Sequence, residues 1–217
     1  MLGAHDVELG TGAMVALNAA VFGLLLFGIW KVEKGLNSGS DLLVLSLLAV
    51  AGIFGRILLE PLPNVSPVTI LVLLAGAHFG ARRAVALAAV IALFSNLWMG
   101  HGLWTFYQAV GWSLVGCAGA LLSSWLLDEK RELVLPRLMA VGFAAGFVFD
   151  WFVSLSVLHT QPVSYLPPYL AQGFMFDLVH ALGNLAFAAV IGVTVSQALE
   201  RHRTIRLEVA QSVPVTA

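Results

Sequence analysis

The chain has 217 residues, of which 59% are hydrophobic and only 11% charged, with a mean hydropathy of +0.92. Soluble domains carry about 25% charged residues, so this composition argues against a soluble domain and for a membrane protein. A net charge of −1, with no basic tract before the C-terminal RHRTIR, argues against a nucleic-acid partner.

Runs of about 20 apolar residues are long enough to cross a bilayer as helices. Seven are predicted in chain order, at about 13–30, 42–59, 67–81, 84–100, 105–127, 136–158 and 168–199. Asp6 and Glu8 precede the first, where a signal peptide would carry basic residues, so residues 1–30 are expected to stay in the mature protein. The third run is short, and Ala81-Arg82-Arg83 predicts a tight turn that makes runs three and four a helical hairpin. The last exceeds a bilayer crossing and is expected to tilt or to emerge from the membrane before Glu200. Continuous apolar runs exclude a transmembrane barrel, whose strands alternate over about 10 residues. The single cysteine, Cys117, lies in an apolar run and reads as a small buried residue.

Lysine and arginine set the expected orientation. Lys31, Lys34, Arg82, Arg83, Lys130, Arg131, Arg137, Arg201, Arg203 and Arg206 all fall in alternate segments on one side, ten of the eleven basic residues. That side is predicted to be cytoplasmic, with the N-terminus outside and the C-terminus inside. The exception is Arg56, near the outer end of the second run.

Ionisable groups inside a membrane cost about 2.5–3.5 kcal/mol each at a helix centre and usually face a partner or a water-filled cavity. Depth places Arg56, Asn96, Gln108, Trp112, Asp150, Asp177, His180 and Asn184 mostly in the outer half, on five helices. Asp177, His180 and Asn184 share one helix face by their i, i+3, i+7 spacing. His78 is the chief polar group of the inner half. This convergence predicts a cavity opening outward, floored and lidded by the PLPNVSP and GHGLWTFYQ segments. Plainer roles stand beside this reading. Arg56 is equally placed to snorkel or to pair with Asp150 or Asp177, and Asn96, Gln108 and Asn184 to join helices. Trp98, Trp104 and Trp151 sit where an aromatic belt is expected. His78, His101, His159 and His180 lack metal-site spacing.

Ala51-x-x-x-Gly55, Gly76-x-x-x-Gly80 and Gly142-x-x-x-Gly146 permit close helix approach. No GxxxxGK[ST] loop, HExxH or GxSxG occurs, so no ATPase of that type and no covalent chemistry is predicted. All three lysines fall in cytoplasmic loops, which excludes a retinal Schiff base. Asp177 with His180 leaves an intramembrane enzyme as a rival, and a ligand-free assembly or sensor protein is another.

The stretch PLPNVSPVTILVLLAGAHFGARRAVALAAVIALFSNLWMGHGLWTFYQAVGWSLVG resembles the substrate-binding S component of energy-coupling factor (ECF) transporters. It is closest to a bacterial group reading PLPNV-x-PVT, G-PR-x-G and SNF-x-x-GQGPWTPWQM-x-AWG-x-VG. Departures are Ala81 and Ala84 at the inner turn, and His101, Leu103, Phe106 and Tyr107 in the segment nearest the expected ligand. The resemblance implies an all-α polytopic membrane helical bundle. Its six-helix substrate-binding domain is expected at 36–200, with a cytoplasmic tail at 201–217 and, outside the six-helix plan, an extra N-terminal transmembrane helix at 1–35. It implies capture of a vitamin or related micronutrient, with a corrinoid favoured, and association with a transmembrane T component and two cytoplasmic ATPases. No cofactor or metal is expected. Arg56, Asn64, Asn96, Trp98, His101, Trp104, Gln108, Trp112, Asp150, Asp177, His180 and Asn184 are the expected substrate-binding residues, and Ala51 and Gly55 the face toward the T component.

Overall fold

The computed structural model describes residues 39–212 and, outside that range, only Gly12 and Ala16. The predicted first span and the lysines after it lie outside the described residues, Ala16 aside. Within them the chain is a helical bundle: α1 (Gly39–Leu58), α2 (Val68–Phe79), α3 (Ala81–Met99), α4 (Leu103–Leu121), a single turn α5 (Ser123–Leu126), α6 (Leu135–Ser154) and α7 (Leu166–Ser212). Short 3-10 turns at Leu155–His159 and Val163–Tyr165 join α6 to α7.

Among the described residues, three segments are long and apolar enough to cross a membrane: Ala81–Met99, Leu135–His159 and Val163–Ile205. Large apolar side chains face outward along several helices, among them Leu43, Leu47 and Phe54 of α1 and Val190 of α7. A water-soluble bundle would hide them; acyl chains solvate them. The bundle has two unlike ends. One carries the connections at 59–67, 100–102 and 155–165, and is called the loop end below. The other carries Gly80 and the 122–134 connection, with Arg82, Arg83, Lys130, Arg131 and Arg137, and is called the basic end.

At the centre stands α2, with every residue from Val68 to His78 buried. It is enclosed by α4, α3 and α7, with α1 and α6 touching it less. Twelve residues rise only about 18 Å, against a hydrocarbon thickness of about 30 Å. The 59–67 connection makes up the missing length by descending into the bundle, where Ser66 and Pro67 are buried and Asn64 is half-buried.

The helical hairpin of α2 and α3 is present, but its turn is Gly80 alone, and Arg82 and Arg83 belong to the first turn of α3. Gly80 has φ +85° and ψ 166°, a region that only glycine occupies without strain. A Cβ there would meet nothing within 4 Å, so the conformation, not space, demands glycine. Gly80→Ala is therefore expected to lower stability by about 1–3 kcal/mol, measured by thermal unfolding in detergent micelles.

Gly55, Gly76, Gly142 and Gly146 of the small-residue pairs make close contacts within the chain. A Cβ on Gly76 would lie 2.1 Å from the Gly116 carbonyl oxygen, and one on Gly119 would lie 2.2 Å from the Leu73 carbonyl oxygen. Backbone therefore meets backbone between α2 and α4. Gly146 closes in the same way on Ala181 of α7. Gly55, expected to face a partner, instead abuts Pro67, whose ring a Cβ would strike at 2.5 Å. Ala51 is exposed, as that expectation requires.

Two predicted spans are interrupted. The 105–127 run breaks after Leu121, and the 136–158 run tightens to a 3-10 turn after Ser154. The last helix runs 47 residues, about 70 Å, so it is far longer than a bilayer is thick and must tilt or emerge from it.

Candidate functional site

The loop end holds a continuous chain of polar side chains. It starts at Arg56 in the last turn of α1, which the bundle directs at α3 and α4. Arg56 Nη1 donates to Ser95 Oγ and, at 2.6 Å, to Asn96 Oδ1, while Nη2 donates to Gln108 Oε1 at 3.3 Å. Asn96, 1% exposed, donates through Nδ2 to Thr105 Oγ1 at 2.8 Å and to Gln108 Oε1 at 2.7 Å. The Arg56 guanidinium lies over the Trp112 ring, 4.9 Å from its centroid. A cation held on an indole face by neutral amide and hydroxyl oxygens keeps its charge without a carboxylate. Arg56 thus pairs with neither Asp150 nor Asp177, the ion-pair partners considered from sequence.

Trp112 passes the chain onward. Its Nε1–H donates to Thr69 Oγ1 at 3.3 Å, and Thr69 Oγ1 lies 3.1 Å from His180 Nε2. His180 Nδ1 lies 3.0 Å from Asp150 Oδ2, which also accepts from Asn64 Nδ2 at 2.8 Å. Asn64 donates in addition to the Phe176 carbonyl at 3.2 Å. The inventory of donors orders this series. Indole nitrogen only donates, so Thr69 accepts from Trp112 and its own hydrogen is free for His180 Nε2. His180 in the Nδ1–H tautomer then donates to Asp150, and each group has its partner. Phe149 packs the same region, stacked on Trp112 at 4.6 Å and edge-on to His180 at 5.4 Å.

The Asn64 backbone has φ +60°, uncommon outside glycine but tolerated by asparagine, and its two side-chain bonds hold it there. The 59–67 connection is thereby fastened to α6 and α7 over the end of α2.

The expected site residues do not all join this chain. Arg56, Asn64, Asn96, Gln108, Trp112, Asp150 and His180 do. Trp112 is 2% exposed and packed against Arg56 and Phe149, so in this conformation it braces the network and offers no face for stacking. Asp177 does not bond His180; its carboxylate accepts from Trp151 Nε1 at 3.1 Å. The acid–base pair read from their i, i+3 spacing is replaced by His180 with Asp150. Asn184, fully buried, donates to the Gly142 carbonyl at 3.0 Å and joins α7 to α6. Trp98 departs outright: 75% exposed, it lies on the outer surface of α3 as an aromatic-belt residue would. His101 and Trp104 are half-buried in the segment leading into α4, and Trp104 folds back over Gly102. Burial holds the His101 imidazole below its usual pKa range.

Sequence reasoning missed Thr69, Ser95, Thr105 and Phe149. Thr69 carries a signal in retrospect: it is the one hydroxyl in the otherwise apolar run from Val68 to Ala77.

A second polar cluster closes the basic end. His78 Nε2 lies 2.8 Å from Ser196 Oγ, and His78 Nδ1 lies 3.3 Å from Glu200 Oε2. Glu200 also accepts from Arg131 Nε at 3.0 Å and Arg203 Nε at 2.8 Å. Both ends of α2 are thus bonded to α7. Among the described residues, no group of three or more His, Cys, Asp or Glu side chains is placed to hold a metal ion.

Fold and site together define a polytopic helical membrane protein with a buried polar network at one end of its bundle. Residues 36–205 match the family described as "Family of unknown function (DUF6580)", and the chain belongs to that family. It is also similar to "Putative cobalt transport protein CbiM 1" of Methanocorpusculum labreanum, 30% identical over 176 residues, which cover 76% of this chain and 73% of the relative. This similarity supports a membrane transport role. No solved structure matches.

Proposed function

We propose that the chain is the substrate-binding membrane subunit of an ECF-type importer, taking up a vitamin-like micronutrient. The observation that carries this reading is the polar chain from Gln108 to Asn64, which gathers side chains from α1, α2, α3, α4, α6 and α7 and the 59–67 connection at one end of the bundle. Structural hydrogen bonds alone need only pairs. A network through every long helix, at the end opposite the basic residues, suits capture of a solute. By the distribution of Lys and Arg, the loop end faces outside and the basic end the cytoplasm. The chain carries no nucleotide-binding loop of its own, so ATP-driven uptake would require a T component and two cytoplasmic ATPases. The exposed face of α1 around Ala51 is the proposed contact.

A corrinoid is the favoured substrate. It contains cobalt, the element in the relative's name, and also agrees with the resemblance of the central stretch to S components. That name favours a second reading, in which free cobalt ion is the cargo. Thermal unfolding of the purified full chain with vitamins, their precursors and cobalt(II) separates them. A true substrate at 100 times its dissociation constant is expected to add about 2.7 kcal/mol of stability. Stabilisation by cobalt(II) alone favours the second reading, and none by any solute sinks both. Co-purification of ATPase subunits with the tagged chain tests the assembly.

A further inference from the structure

The Arg56 cluster is unbalanced in a way that specifies what it lacks. Its acceptors are all engaged: Ser95 Oγ and Asn96 Oδ1 accept from Arg56, Gln108 Oε1 from both Arg56 and Asn96, and Thr105 Oγ1 from Asn96. Both hydrogens of Asn96 Nδ2 are used. Arginine has five N–H donors. Nη1 uses both of its hydrogens and Nη2 one, so among the described residues Nε–H and the second Nη2–H have no bonded acceptor. Nε–H and the Nη2–H that points alongside it form the edge of a guanidinium that takes a carboxylate or phosphate through two parallel bonds.

Gln108 adds to the surplus. Its Oε1 must face the donors of Arg56 and Asn96, which turns its Nε2 amide hydrogens away from them; among the described residues these too lack an acceptor. Among the described residues, no carboxylate lies within ion-pair distance of Arg56: Asp150 is engaged by His180 and Asn64, and Asp177 by Trp151. Arg56 and Gln108 are each only partly buried. A full positive charge and open donors, with the surrounding oxygens committed, call for a ligand group that only accepts and is negatively charged.

We propose that the Arg56–Gln108 edge binds an anionic oxygen group, a carboxylate or phosphate ester, carried by the transported substrate. This rests on the substrate-binding reading above but does not depend on which micronutrient is carried. An outer-leaflet lipid phosphate has the same chemistry, and the test separates the two sources.

The test uses the purified full chain and matched probes differing in one acidic group: pantothenate against pantothenol, nicotinate against nicotinamide, and pyridoxal phosphate against pyridoxal. Gln108→Glu is the diagnostic variant. It keeps an oxygen for Arg56 and Asn96, so the cluster still closes, while it removes the open amide donors and adds a repelling charge. Arg56→Lys keeps the charge but not the two-pronged edge. For the wild type, the acidic member of one pair should bind at least about tenfold tighter than its neutral partner, as hydrogen bonds to a charged group imply. Gln108→Glu should abolish the preference and Arg56→Lys should reduce it. Equal binding of both members, or a preference that survives in Gln108→Glu, overturns the anion proposal and leaves the binding reading standing. No binding by any solute, including those of the wider vitamin screen, defeats the binding reading itself. If instead phosphatidylglycerol nanodiscs stabilise the wild type over phosphatidylcholine nanodiscs, Gln108→Glu removes that gain and no soluble probe binds, the anion is a lipid headgroup and the substrate assignment fails.

Discussion

Asp150→Leu is expected to destabilise the protein by about 2–6 kcal/mol, since each of two buried donors left without an acceptor costs about 1–3 kcal/mol. Asp150 is 7% exposed, and its Oδ2 is the shared acceptor for His180 Nδ1 and Asn64 Nδ2. Leucine fills similar space but leaves both donors without an oxygen. The damage should spread, since Asn64 fastens the 59–67 connection and His180 anchors Thr69 at the head of α2. Asp150→Asn is the matched control: its amide oxygen can take both bonds, so most of the stability should return. Thermal unfolding in micelles reads the difference, and equal losses for the two variants would show that the charge, not the shared acceptor, matters. Because Asp150 lies within the proposed binding network, Asp150→Asn is also expected to weaken substrate binding even where stability is restored.

Gly76→Ala should be the most damaging of the small substitutions. The added methyl would stand 2.1 Å from the Gly116 carbonyl oxygen and 2.9 Å from the Ala120 nitrogen. Both obstacles are backbone, so no rotamer change relieves them and α2 must separate from α4. Overpacking of a tight interior costs about 1–3 kcal/mol, and the rigid obstacles put this case at the upper end or beyond. Gly100→Ala, where nothing lies within 4 Å, tests the assignment to packing, since its cost is conformational alone. A Gly76→Ala protein with wild-type thermal stability would mean that the α2–α4 contact is looser than the structure shows.

How much of this was legible in the sequence divides along a physical line. Apolar run length gave the helices, because crossing hydrocarbon demands a minimum number of residues whatever the neighbours are. Depth gave the level of Arg56, Asn96, Gln108, Asp150 and His180, because rise per residue is fixed. Azimuth was not legible. Membrane helices are apolar on both their lipid-facing and protein-facing sides, so periodicity does not tell which way Trp98 or Trp112 points. One proved to be on the surface, the other in the interior. Pairing was likewise hidden: charge alone suggested a carboxylate for Arg56, whereas amide and hydroxyl oxygens on α3 and α4 stand nearest. Asp177 and His180 share a helix face, yet His180 turns to a carboxylate on a different helix. The break after Leu121 falls inside an apolar run and was not legible, whereas the hairpin turn beside Arg82 and Arg83 was.

The enclosure of α2 has a consequence for how the chain is made. A segment about 18 Å long, ending in a buried threonine and a buried histidine, is a poor candidate to reside in lipid alone while synthesis continues. Its bonding partners Trp112, His180 and Ser196 are translated well after it. The insertion machinery would therefore be expected to release α2 only together with α3, as a hairpin turned at Gly80, and to hold that hairpin until α4 and α7 emerge.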